Sequence, residues 1–113
     1  MLRGEIWCIN LDPTIGAEIR KIRPVIIVND DEIGILPLKI VVPITDWKDR
    51  YENAVWMTKI KPNKENGLSK TSSADAFQVR SVSQERFVEK IGNVSEETLE
   101  EITESLAIVL KIQ

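Results

Sequence analysis

Residues 24–45, PVIIVNDDEIGILPLKIVVPIT, decide the fold class, because two β-branched runs stand on either side of a turn. Pro24-Val-Ile-Ile-Val-Asn29 reads as a buried strand, with proline confined to its first position, where a missing ladder donor is tolerated. Asp30, Asp31, Glu32 and Gly34 supply the turn. The run Leu38–Thr45 reads as the next strand, and Pro43 within it suggests a sheet edge or a bulge.

Working outward, residues 4–11 (GEIWCINL) alternate Ile6 and Cys8 against Trp7, Ile9 and Leu11, the pattern of a half-buried strand with Trp7 as its largest packing group. Residues 12–23 open on Asp-Pro and contain Gly16, which predicts a long connecting loop. Downstream, Asn53–Thr58 is a fourth short strand candidate, 59–72 an exposed loop, and Ser73–Val79 a fifth strand. Ser83 suits the cap of one helical turn over Gln84–Phe87, and Ile91 a last strand before Gly92 and Asn93.

From Glu96 to Lys111 the period changes to that of a helix. Ser95 is a good N-cap, Glu96 and Glu97 complement the positive end of the helix dipole, and Leu99, Ile102, Leu106, Val109 and Leu110 recur at spacings of three and four. Five or six short strands and one terminal helix predict a mainly β chain, a small curved sheet or barrel with the helix packed against it.

At 113 residues and 12.8 kDa the chain is expected to form a single domain over residues 1–113, able to bury roughly two-thirds of its unfolded surface without disulfides. It has no apolar run near the roughly 18 residues of a membrane span. The N-terminus lacks the apolar core and small-residue cleavage site of a signal peptide, and the single Cys8 cannot form an internal disulfide, so a cytoplasmic location is expected.

The absence of histidine removes more chemistry than any residue present supplies. Ser-His-Asp and Cys-His catalysis, HExxH metal sites and paired-imidazole ribonuclease chemistry are excluded. One cysteine excludes a structural zinc built on this chain alone, and neither GxGxxG nor GxxxxGK[ST] occurs. Catalysis is left to Arg, Lys, Asp, Glu, Ser, Thr, Tyr or a bound metal.

A net charge of −3 argues at face value against a polyanionic partner. Yet residues 95–113 set five glutamates against one lysine, which leaves residues 1–94 with a net charge of +1. Within that part, Arg20, Lys21 and Arg23, and the run Lys59, Lys61, Lys64 and Lys70, are basic clusters able to meet phosphates if they face one groove. Solvated loops explain them equally well.

At Arg3-Gly-Glu-Ile-Trp7, Leu11-Asp-Pro13, Gly16-Ala-Glu18 and Lys21-Ile-Arg-Pro-Val25 the chain resembles the MazF/PemK family of toxins from bacterial toxin–antitoxin modules. Val42-Pro-Ile-Thr45, Gly67-Leu68 with Ser72, Gln78-Val-Arg-Ser-Val82, Arg86 and Ile91-Gly92 follow in the family's order, so that the likeness spans about residues 3 to 110.

The resemblance implies a homodimeric SH3-like barrel that cleaves single-stranded RNA without a metal, leaving a 2′,3′-cyclic phosphate and a 5′-hydroxyl. It also implies an antitoxin partner, expected to lay an acidic and apolar segment across the basic loops. Arg23 and Thr45 correspond to the family's catalytic pair, and Glu18, Arg20, Lys21, Ser72, Gln78 and Arg80 are the RNA-binding candidates. Such chemistry can dispense with histidine because RNA supplies its own nucleophile, the 2′-hydroxyl. A guanidinium is a poor general base at neutral pH, so Arg23 is expected to stabilise the phosphorane, and Thr45 to donate a hydrogen bond to a nonbridging oxygen.

Blander readings stand beside these. Arg23 also reads as an exposed loop charge before Pro24, Thr45 as an ordinary strand-end threonine, Glu18 and Lys21 as a surface pair, Gln78 as a backbone partner and Arg80 as a carboxylate partner. Trp47 and Trp56 suit stacking on unpaired bases, although for Trp56 burial in the core or a dimer interface is the stronger expectation. Cys8 reads as a small buried hydrophobe. Where some members carry an acidic residue just before the glutamine block this chain has Phe77, so a carboxylate base is lacking at that position and Asp75 is the candidate substitute. The same fold also hosts toxins that poison DNA gyrase without cutting nucleic acid, so fold alone does not choose between the two activities.

Overall fold

The computed structural model describes residues 1–11, 22–34 and 37–112. Seven strands run β1 (Glu5–Asn10), β2 (Ile22–Ile27), β3 (Leu38–Asp46), β4 (Met57–Ile60), β5 (Ser72–Asp75), β6 (Arg80–Ser83) and β7 (Phe87–Asn93), followed by helix α1 (Glu96–Leu110). All pair antiparallel in the order β4-β5-β3-β2-β1-β7, with β6 on β3.

β3 is the hub of this sheet, not an edge. One side pairs Val41–Pro43 with β2, while the other pairs Leu38–Val41 with β6 and Ile44–Asp46 with β5. Pro43 lies in the gap between those last two ladders, a place that accommodates a residue without an N–H. Pro24 is solved similarly. It is the third residue of β2 and pairs with Cys8, but the β3 ladder begins only at Val25.

The predicted alternation of β1 is present. Ile6 joins Ile26, Val42, Ile44, Ala74 and Ile102 in a core between the sheet and α1. Ile9 joins Val25, Ile27, Val41 and Val82 in a second core on the opposite face, against which Trp7, Leu11 and Phe87 pack. Val82 of β6 and Phe87 of β7 thus belong to the same core, although their strands hang from β3 and β1. The sheet curls strongly but, among the described residues, does not close into the expected barrel.

α1 begins where the sequence predicts. Ser95 Oγ accepts from the Thr98 backbone N–H at 3.1 Å, and Lys111 ends the helix in a left-handed conformation. Arg3 ties this helix to the sheet, donating to Thr103 Oγ1 at 2.8 Å and to the Val28 carbonyl. Beside it Glu5, buried, accepts from the Trp7 indole at 2.8 Å and from Lys90 Nζ at 3.2 Å.

Elsewhere side-chain hydrogen bonds move the expected boundaries. The strand predicted over Ser73–Val79 stops at Asp75, because its carboxylate accepts from the Phe77 N–H at 3.1 Å and starts a 3-10 turn over Ala76–Gln78. A second 3-10 turn, Gln84–Arg86, is capped by Ser83 as expected. The Asn53–Thr58 strand is displaced to Met57–Ile60, because residues 53–56 form turns after a short 3-10 segment at Asp49–Tyr51. Residues 61–71 form the predicted loop, held by buried Asn66, which exchanges hydrogen bonds with Asn63 and donates to the Lys61 carbonyl. Two blocks distant in sequence meet there, since a Cβ on Gly67 would lie 2.1 Å from the Ile91 carbonyl oxygen and one on Gly92 2.4 Å from that of Glu65. The glycines are what allow the loop to lie on β7.

Candidate active site

Odd-numbered positions of β2 and β3 point to the face of the second core, as the burial of Val25, Ile27 and Val41 there shows. Arg23 and Thr45 share that face. The β2–β3 ladder ends with Val25 on Pro43, and Arg23 and Thr45 each lie two residues beyond that last pair, at the same end of the ladder. On the other side of β3, Thr45 pairs with Ser73, and Ser73 pairs with Lys59 of β4. Thr45, Ser73 and Lys59 therefore form a row across β3, β5 and β4, on the face that Arg23 shares.

Next to it lies an open cavity of about 340 Å³, in which Arg23, Gln78 and Arg80 rise around an apolar floor that includes Ile9, Val25 and Pro43. Three donor-bearing side chains over an apolar floor make a site for a negatively charged group. Low polarity beneath strengthens each hydrogen bond to an anion, and a guanidinium fork matches two phosphate oxygens. Arg23 is half-buried within β2 and paired with Ile9, which corrects the expectation that it sits on a loop. Only residues 12–21 of the predicted loop lie between the strands.

Gln78 forms the far wall. Its Nε2 donates to Asp75 Oδ2 at 2.9 Å, while Asp75 Oδ1 holds the Phe77 N–H. Each carboxylate oxygen therefore holds one donor, and Asp75 is buried on the side of Gln78 away from the Arg23 cavity. This places Asp75 beside the cavity and not within its lining.

The structure brings Arg23, Thr45, Gln78 and Arg80 onto one face. Ser72 is elsewhere, buried in β5, with its hydroxyl donating to the Lys70 carbonyl at 2.9 Å. Glu18, Arg20 and Lys21 lie outside the described residues. Of the lysine run, Lys70 pairs with Asp46 at 3.1 Å and Lys59 sits 4.8 Å over the Trp47 ring. Trp47 is half-buried with Tyr51 at its edge.

Trp56 is not buried in the core of the chain, one of the two places the sequence suggests. It stands before β4, 40% exposed, edge-on to Phe77, which is 70% exposed. Sequence reasoning saw Phe77 only as a missing carboxylate. A large aromatic after an Asp that starts a turn was the available signal, since such turns sit at the surface. Cys8 is half-buried, and burial together with nearby Glu89 pushes its thiol pKa up, away from reactivity.

The family model for PemK-like, MazF-like toxins of type II toxin–antitoxin systems matches residues 2–110. Endoribonuclease MazF9 of Mycobacterium tuberculosis is 32% identical, the match covering 99% of this chain and 98% of the relative. Endoribonuclease EndoA of Bacillus subtilis is 28% identical, with 97% and 94% covered. Among solved structures, the toxin fold of a MazE–MazF complex from Deinococcus radiodurans superposes with a TM-score of 0.77 at 20% identity, covering 100% of this chain and 97% of that one. A mycobacterial endoribonuclease in complex with its cognate antitoxin gives 0.76 at 17% identity over the same shares. With that full-length match, the chain belongs to the family of PemK-like, MazF-like toxins of type II toxin–antitoxin systems.

Proposed function

We propose that this chain is an endoribonuclease that cuts single-stranded RNA at a chosen sequence, without a metal. The observation that carries the reading is the convergence of Arg23, Gln78 and Arg80 on one cavity, with Thr45 on the same sheet face. The endoribonuclease names of two full-length relatives support it.

In the proposed step the ribose 2′-oxygen attacks the adjacent phosphorus and gives up its proton. The bond from phosphorus to the 5′-oxygen breaks, that oxygen takes a proton, and the products are a 2′,3′-cyclic phosphate and a 5′-hydroxyl. Negative charge grows on the nonbridging oxygens during the step. Arg23 meets it with a planar pair of N–H donors and Thr45 with a hydroxyl donor, and both act most strongly on the pentavalent state. Gln78, Arg80 and Ser72, with Glu18, Arg20 and Lys21, are the RNA-binding set of this proposal. Gln78 and Arg80 reach the substrate directly from the cavity wall, while Ser72, inside β5, serves by holding the Lys70 turn.

The active form in this reading is a cytoplasmic homodimer held silent by an antitoxin. A patch of exposed Ile33, Leu38 and Ile40 around a cavity of about 200 Å³ supports self-association, since monomers seldom leave such groups to water. The antitoxin-bound neighbours from Deinococcus radiodurans and mycobacteria support the second partner. Light scattering at micromolar concentration should give twice 12.8 kDa.

Incubation of the purified protein with single-stranded RNA in EDTA tests the activity. Discrete cuts with 5′-hydroxyl ends are expected. Intact RNA together with stalled DNA gyrase would overturn the reading in favour of a gyrase poison.

A further inference from the structure

A second groove, of about 250 Å³, opens on the other side of Gln78, between Trp56, Phe77 and Asp75. We infer that it is a base-reading subsite, which takes one unpaired nucleobase of the RNA and prefers guanine. The inference rests on the ribonuclease reading above and names a specificity determinant for it.

Three observations place a base there. The first is continuity, because Gln78 lines both this groove and the Arg23 cavity. The β3–β5 ladder ends with Ile44 on Ala74, and the next residues on each strand, Pro43 and Asp75, line the first cavity and the second groove respectively. Pro43 is in the floor of the first cavity, so a strand whose phosphate lies at Arg23 passes Gln78 to reach Asp75 without leaving the face.

The second is the wall. Trp56 and Phe77 meet edge to face, with ring centroids 6.5 Å apart and planes at 67°, and both are exposed. Water on two large aromatic faces is unfavourable, and a planar base offers each a partner. At several times the roughly 30 Å³ of one water molecule, the groove admits a flat ring.

The third is the polar end. Asp75 Oδ1 accepts from the Phe77 N–H and Oδ2 from Gln78 Nε2, at 3.1 and 2.9 Å, which locks the carboxylate in place and leaves each oxygen capacity for a second donor. An acceptor-only group of this kind favours a base edge with donors. Guanine presents two neighbouring donors, N1–H and the N2 amino group, to two carboxylate oxygens. Uracil sets a carbonyl on each side of its N3–H, and those carbonyls repel a carboxylate. The large guanine ring also covers more of Phe77.

The test uses the full chain and a set of single-stranded oligonucleotides bearing one 2′-deoxy nucleotide at the cut site, so that they bind without reacting. Replacement of one guanine near the cut by inosine removes the N2 donor and should weaken binding about fivefold or more. Phe77→Ala, at an exposed site, should weaken guanine-containing oligonucleotides about fivefold or more and broaden the cleavage ends read by sequencing. Asp75→Asn should erase the difference between guanine and inosine. The inference fails if wild type cuts RNA while Phe77→Ala and the inosine exchange leave both affinity and cut sites unchanged. It fails likewise, with the groove then assigned to a protein segment, if Phe77→Ala keeps RNA cleavage but loses antitoxin binding. A wild-type protein that cuts no RNA overturns the activity itself, a result distinct from either.

Discussion

Gln78 donates its side-chain amide to the buried carboxylate of Asp75 across 2.9 Å, and that one bond fixes the wall between the Arg23 cavity and the aromatic groove. Replacement of Gln78 by Leu keeps much of the volume and removes the donor. The loss should be about 1 kcal/mol of stability, seen as a lower midpoint in urea with an unchanged slope. RNA cleavage should fall further than stability does, because the cavity loses a wall group as well.

Glu5 makes the protein sensitive to acid in a defined window. Burial pushes its carboxyl pKa up, but hydrogen bonds from Trp7, the Leu2 backbone and Lys90, and the charge of the N-terminal ammonium, outweigh that and hold it at about 2. A carboxyl whose folded value lies below its ordinary 4.5 stabilises the fold fully above pH 4.5 and loses that contribution as pH falls through 2. The span is worth up to about 3 kcal/mol. Thermal melts from pH 6 to about 2 should show this loss in the wild type, whereas Glu5→Gln should start less stable and show a shallower decline.

Gly67 and Gly34 both have positive φ, at +67° and +97°, but only Gly67 is crowded. A methyl at Gly67 would overlap the Ile91 carbonyl, while one at Gly34 would meet nothing within 4 Å among the described residues. Gly34→Ala should therefore cost only the roughly 1–2 kcal/mol of an unfavourable backbone conformation. Gly67→Ala should cost clearly more and detach the 61–71 loop from β7, which amide exchange at Asn93, whose N–H is bonded to the Glu65 carbonyl at 2.7 Å, would report.

Local rules made much of this legible. The period change at Glu96, the Ser95 and Ser83 caps and the alternation of β1 depend on near neighbours in the chain, and each stands in the structure. Misplaced boundaries had a common cause, a long-range partner or a side-chain bond that composition does not reveal. Pro24 and Pro43 sit inside strands because ladders stop beside them, and Asp75 ends β5 because it caps the next turn. The site was legible only through a resemblance between short blocks. That Arg23, Gln78 and Arg80 line one cavity is a matter of register between strands, and register is set by pairing across the fold. The groove at Phe77 is not legible locally because its walls, Trp56 and Phe77, flank β4 and β5 in the sequence and meet only once those strands pair.

The sharpest prediction concerns Arg23, and its strand position changes what each variant should do. Loss of a transition-state donor typically costs on the order of 10²-fold or more in rate, so Arg23→Ala should show that drop in kcat/KM on a short RNA. Affinity for an oligonucleotide with one 2′-deoxy nucleotide at the cut site should change less, since Arg80 and Gln78 still line the cavity. Because Arg23 is half-buried and paired with Ile9, truncation should also lower stability, by about 1 kcal/mol, where an exposed loop residue would have moved it hardly at all. Arg23→Lys separates charge from shape. It keeps the positive charge and most of the stem, so stability should hold, yet a single ammonium cannot replace the planar fork and the rate should stay low. The 2′-deoxy oligonucleotide should bind and remain uncut by wild type. Near wild-type cleavage by Arg23→Ala, or cleavage of the deoxy substrate, would remove Arg23 from the step and the 2′-oxygen from the role of nucleophile.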